Sequence, residues 1–209
     1  AALQTSHQPS PWIGDHGVLQ FVPRALPLVE PVETPCQSLP IEVSTSSTDD
    51  DRRWGGGVIV PGSEIARPHR HVATLAEGVD VEGTTTRSVV AVRVRGDGPL
   101  GLLLGWPEGD GSLHLQSLPD GRAAVRGWIG ERPDAAWGNA PRMYVYGETA
   151  ERAAVETSGE PYGLGITAPG ELELRVATSF LSVGQARRSF ELEAPWTSGF
   201  DELVAASRA

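Results

Sequence analysis

The densest cluster of chemistry-bearing side chains is HQPSPWIGDHG, residues 7–17, where Pro9 and Pro11 flank Ser10, Trp12 follows, and His7, Gln8 and Asp15 stand close by. Each proline fixes its own φ and restricts the residue before it, so the chain delivers Trp12 in a set, extended or turned form. An indole held this way offers a π-face to the axial C–H groups of a pyranose. The hydroxyls of the same sugar need polar partners of the kind that His7, Gln8 and Asp15 supply. The same bulk also suits a plug at the end of a β-sandwich, and residue types alone leave both roles open.

Three other groups could carry chemistry. His69 and His71 in PHRHV are two apart on an expected strand, so both side chains leave one face and could pair on a metal. No third ligand stands at a recognisable offset, which favours solvated or core-satisfied histidines. Asp49, Asp50 and Asp51 could ligate calcium, but consecutive aspartates without a glycine at the sharp turn do not match a calcium loop, and a solvated loop is the expectation. Glu64, Glu77 and Glu82 are candidate carboxylates for glycoside chemistry, although spacing cannot set the distance between two of them, and surface carboxylates are the default.

The chain has 209 residues, enough to bury roughly 70% of the surface its unfolded form exposes without a covalent staple. Its single cysteine, Cys36, can form no intrachain disulfide. The net charge is −10 and all 17 basic residues are arginine, a balance that argues against tracking a phosphate backbone, so nucleic acid is not an expected partner. The longest apolar run, PLGLLLGW at residues 99–106, falls short of the roughly 20 residues a spanning helix needs, and no signal peptide opens the chain. No membrane partner is expected.

Period-two alternation marks the elements that must position these groups. GVLQFV, HRHVATL, VDVEGTT and SVVAVRVR read as strands, LGLLLGW as a strand buried on both faces, and SLHLQSL, RAAVRGWI, RMYVYGE and ELELRVAT as further strands. PDGR, residues 119–122, is the clearest hairpin turn and brings Leu113 and Leu115 opposite Val125. In ELELRVAT, Leu172, Leu174 and Val176 share a core face, while Glu171, Glu173 and Arg175 are expected to meet solvent. The fold class is therefore mostly β, a large antiparallel β-sandwich over about residues 18–178 followed by a short C-terminal helical linker. A capping box of Ser182 and Gln185 starts one helix over Val183–Glu193, and Ser198 starts a second. The apolar stripe of that second helix, Phe200, Leu203 and Val204, has nothing later in the sequence to cover it, as though the sequence were cut from something longer. Residues 44–57 read as weakly ordered.

HQPSPWIGDHG, SEIARPH (63–69), APRMYVYGE (140–148) and above all VATSFLSVGQARRSFELE (176–193) occur in one order along the chain, and together they resemble the family 92 glycoside hydrolases, calcium-dependent exo-acting α-mannosidases. The resemblance implies that residues 1–180 are an N-terminally incomplete β-sandwich domain and residues 181–209 the start of a linker to an (α/α) barrel. It places the catalytic acid, the base and most of the calcium site in that barrel, so this chain alone is expected to be inactive. It implies an α-mannoside glycan as substrate, inverting hydrolysis, and a secreted, periplasmic or extracellular location. It also makes Trp12 an aromatic platform in one wall of the sugar site, with His7, Gln8 and Asp15 beside it. Pro61, Gly62 and Ser63 stand where the family commonly has an aromatic-Ser-His sequence, a departure beside Glu64. The rival readings are a non-catalytic carbohydrate-binding module using Trp12, Trp54 or Trp128, and a structural interaction domain.

Overall fold

A computed structural model of the chain describes residues 10–13, 18–22, 39–44, 63, 65–67, 69–75, 78–105, 110–130, 142–150, 154–157 and 163–207. The strands are β1 (Ser10–Ile13), β2 (Val18–Val22), β3 (Leu39–Ser44), β4 (Ile65–Arg67), β5 (Arg70–Thr74) and β6 (Asp80–Thr85). After them come β7 (Val89–Gly105), β8 (Asp110–Ser117), β9 (Ala123–Gly130), β10 (Met143–Thr149), β11 (Ala154–Thr157) and β12 (Gly163–Ser179). Two helices follow, α1 (Val183–Glu193) and α2 (Phe200–Ala206).

Every strand pair among the described residues is antiparallel, as the alternation predicts. The order is β1-β2-β3-β7-β12-β10-β9-β8, with β6, β5 and β4 branching from β7 and β11 pairing β12. The long partners β7 and β12 form the spine. Their register shifts between Pro169 and Glu171, and across that shift β7 changes its second neighbour from β6 to β3. SVVAVRVR and LGLLLGW are thus two halves of one 17-residue strand rather than separate strands. The bulge lets both halves keep pairing β12 while the sheet bends.

The sheet folds back on itself. Three inter-strand spacings amount to about 14 Å, yet β8 packs directly against β12, its third neighbour along the order. One apolar core results, in which Leu100, Leu102 and Ile166 from beyond the bulge join Val92, Val94, Leu113, Val125, Met143, Val145, Leu172, Leu174 and Val176. Each valine or leucine so enclosed contributes about 1.5–3 kcal/mol relative to exposure. The PDGR turn forms as expected: Gly121 takes φ +90°, the Leu118 N–H donates to the Arg122 carbonyl at 2.7 Å, and Leu115 sits opposite Val125.

The outer face is where expectation and structure part. Arg175 is 1% exposed, because α1 and α2 lie across this face. A second apolar cluster joins Val89, Ala91, Tyr146 and Ala177 of the sheet to Ala186, Phe190, Phe200, Leu203 and Val204 of the helices. The stripe that no later sequence could cover is therefore buried by elements that precede it. Both helices start near the expected points. The Ser182 hydroxyl accepts from the Gln185 N–H at 3.1 Å, and α2 is capped at Gly199 rather than Ser198, with the Gly199 N–H donating to Glu202 Oε2 at 3.0 Å. No described helix is long and apolar enough to cross a membrane.

Candidate functional site

Trp12 lies in β1, opposite Gln20 of β2, with Pro11 opposite Phe21. Pro11 and the extended backbone agree: β1 ends the strand order, where a proline's missing N–H breaks no interior ladder. His7, Gln8 and Asp15 lie outside the described residues, as do Asp49, Asp50, Asp51, Trp54, Glu64 and Glu77. The structure therefore fixes the strand that carries Trp12 and leaves its expected companions unplaced.

The two histidines do not both lie on the expected strand. His71 is buried in β5, whereas His69 precedes the strand in a turn, where its carbonyl accepts from Thr84 Oγ1 at 2.7 Å and Ser207 Oγ at 3.2 Å. β5 begins only at Arg70, so His69 lies just outside the strand on which the pair was expected. Among the described residues no three His, Cys, Asp or Glu side chains are grouped so as to hold a metal. The described residues by themselves do not make a calcium centre.

Glu82 is occupied structurally. Arg70 Nε approaches its Oε1 at 2.5 Å and Arg93 its Oε2 at 2.7 Å, while Phe200 of α2 lies under the Arg93 guanidinium at 4.2 Å. The carboxylate is thus ion-paired to two guanidinium groups, accepting from Arg93 at Oε2 while Oε1 is buried beside Arg70. The same pattern repeats across the outer face. Glu148 stands opposite Arg175, Arg93 lies between Glu173 and Glu82, and Arg95 lies between Glu171 and Asp80. Cross-strand pairs of opposite sign are favourable neighbours on a sheet face.

Sequence reasoning missed the centre of this lattice. Arg175 donates to Glu173 Oε1 at 2.8 Å and to the carbonyls of Ala194, Pro195 and Ser198 at 3.2, 2.6 and 2.9 Å. Its guanidinium also lies over the Trp196 ring at 4.1 Å. The Ala194 and Pro195 carbonyls lie at the end of α1, where the helix dipole favours a cation. Beside it Glu148 takes the Tyr146 hydroxyl at 2.6 Å and an ion pair from Arg122, which also pairs Asp120 at 2.5 Å. The Arg122 guanidinium holds the Asp120 carboxyl below its usual range, through their hydrogen bond. Burial, reinforced by the bond to Glu148, pushes the Tyr146 phenol well up. The one available signal was the alternation of charges between RVR in β7 and ELELR in β12.

No protein-family model matches the chain, and no curated protein matches it. Solved structures do. A GH92 family glycosyl hydrolase matches over 99% of this chain at 16% identity, with a TM-score of 0.75. A family GH92 inverting mannosidase from Bacteroides thetaiotaomicron matches over 99% at 14% identity, with a TM-score of 0.67. An α-mannosidase of the same family and organism matches over 97% at 16% identity, with a TM-score of 0.58. The chain spans about a third of those structures, 33%, 32% and 33% of their lengths. Throughout its length it has the fold that these family 92 glycosidases contain.

Proposed function

We propose that this chain is the N-terminal sandwich domain of an exo-acting glycoside hydrolase that removes terminal α-mannose with inversion, outside the cytoplasm. The observation that carries the reading is the match to a mannosidase structure over 99% of this chain and only 32% of that one. The four sequence motifs quoted above support it independently. In this reading the sandwich supplies one wall of the sugar site: Trp12 stacks on the pyranose, and His7, Gln8 and Asp15 contact its hydroxyls. Inverting hydrolysis needs an acid to protonate the leaving oxygen and a base to activate a water on the opposite face. Glu82, gripped by two arginines, does neither. The acid, the base and most of the calcium site are assigned to a barrel in the same polypeptide.

The test compares mannose release by residues 1–209 alone with release by the polypeptide that carries the barrel. The expected result is no release by residues 1–209, with or without calcium, and release with inverted anomeric configuration by the longer protein. Calcium-dependent release by residues 1–209, abolished by changing a carboxylate within them, would overturn the assignment.

A further inference from the structure

The outer face holds α1 and α2 with more directional contacts than attachment requires. Attachment is supplied by Phe190, Phe200, Leu203 and Val204 packed with Val89 and Ala177 of the sheet. Such burial resists lift-off, but it is non-directional and leaves a short helix free to rock or slide. Arg175 adds direction at the elbow between the helices. Its planar guanidinium reaches the carbonyls of Ala194, Pro195 and Ser198 and lies over the Trp196 ring. Glu193, the last residue of α1, accepts through Oε2 from Thr86 Oγ1 at 2.6 Å and from the Ser88 N–H at 2.7 Å. Both donors stand between β6 and β7, so the end of α1 is tied to the sheet.

The far end of α2 is held as well. Ser207, its C-cap, places Oγ 3.1 Å from Thr84 Oγ1 and 3.2 Å from the His69 carbonyl, to which Thr84 Oγ1 itself donates at 2.7 Å. A helix of seven residues spans about 10 Å, and α2 is gripped beyond both of its ends, at the Ser198 carbonyl and at Ser207. Between these grips Phe200 lies under the Arg93 guanidinium at 4.2 Å. Burying Arg175 carries a desolvation cost that an apolar side chain of similar size avoids. What the polar anchors add to the apolar contact is a fixed rotation and translation of the helices.

We propose that these anchors make the helical pair an orientation lock, in which Arg175 and Ser207 are positioning residues that fix the pose of α2 on the sheet and with it the direction taken by whatever follows. That a barrel bearing the acid and the base follows rests on the proposed function; the lock rests on the contacts alone. In that setting the pose of α2 governs how the wall bearing Trp12 meets the reacting groups. A misplacement of about 1 Å, caused far from the chemistry, is enough to slow a reaction on the order of a hundredfold.

The test is Ser207→Ala, which removes the far anchor and leaves the apolar face and Arg175 intact. Spin labels on Gln116→Cys of β8 and Ala205→Cys of α2, both exposed positions, in a Cys36→Ser background report the distance between sheet and helix in residues 1–209. The expected result is one narrow distance distribution with Ser207 present and a broad one in Ser207→Ala. Ser207→Thr, which keeps the hydroxyl, should retain the narrow distribution. The Tm of Ser207→Ala should fall by no more than about 4 °C, the scale of one hydrogen bond in a chain of this size. In the polypeptide that carries the barrel, assayed well below its Tm, kcat/KM on an α-mannoside should fall at least about tenfold in Ser207→Ala and be restored in Ser207→Thr. A broad distribution in the labelled chain that keeps Ser207, or equal widths with and without the hydroxyl, would overturn the lock. A broadened distribution with unaltered kcat/KM would overturn the positioning role. If the longer protein with Ser207 releases no mannose, the glycosidase reading fails, and the distances still decide the lock.

Discussion

Tyr146 shows how much one hydroxyl can depend on the face it occupies. It is 6% exposed, meets Phe190 of α1 edge-on at 5.4 Å between ring centroids, and donates to Glu148. Burial, then the bond to Glu148, raises its pKa, so the native state keeps a proton that the unfolded chain releases near about pH 10. Stability from this group is therefore fully present below that pH and is lost as pH rises toward the folded value. The urea midpoint of the wild-type chain should fall more steeply between about pH 9 and about pH 11 than that of Tyr146→Phe. Parallel curves for the two proteins would show that the phenol proton is not coupled to folding. Tyr146 was legible only as an alternating residue in RMYVYGE, since its partner Phe190 arrives on an element that the strand pattern does not announce.

At the scale of elements, the join between sheet and helices turns on Arg175. Alternation in ELELRVAT correctly separates two faces, and the capping signal at Ser182 correctly starts α1. Neither signal says that α1 and α2 turn back over the outer face, because period counts do not reveal what covers a face from a later segment. The helices bury Arg175 against the carbonyls of Ala194, Pro195 and Ser198, and Glu173 completes its contacts. Arg175→Met keeps the length and removes the charge, leaving those carbonyls and a nearly buried carboxylate without their donor. The expected cost is about 3–5 kcal/mol, with hydrogen exchange accelerated in residues 183–206 more than in β7. Uniform loss of protection throughout the sheet, with α1 no more affected than β7, would contradict this role.

For the molecule as a whole, turn chemistry and alternation made most of the sandwich readable, from the PDGR hairpin to the core positions of β8, β9, β10 and β12. Joining SVVAVRVR to LGLLLGW was not readable, because Gly96, Asp97, Gly98 and Pro99 look like a turn and instead lie at the bend of one strand. The candidate site was less legible than the fold. Of its residues, Trp12 alone falls in a described strand, and residue types by themselves could not say whether its indole serves a sugar or the core.

The proposed function sets Trp12 against a mannoside at a site completed by another domain of the same polypeptide. Its most direct test is Trp12→Ala in the polypeptide that carries the barrel, with kcat/KM on an α-mannoside and Tm measured on the same preparation. Loss of the stacking platform predicts a fall in kcat/KM equivalent to about 1–3 kcal/mol, with little change in Tm. A fall in Tm expressing about 3–5 kcal/mol of lost stability, with unchanged kinetics for the folded fraction, would contradict the claim and make Trp12 a plug of the sandwich.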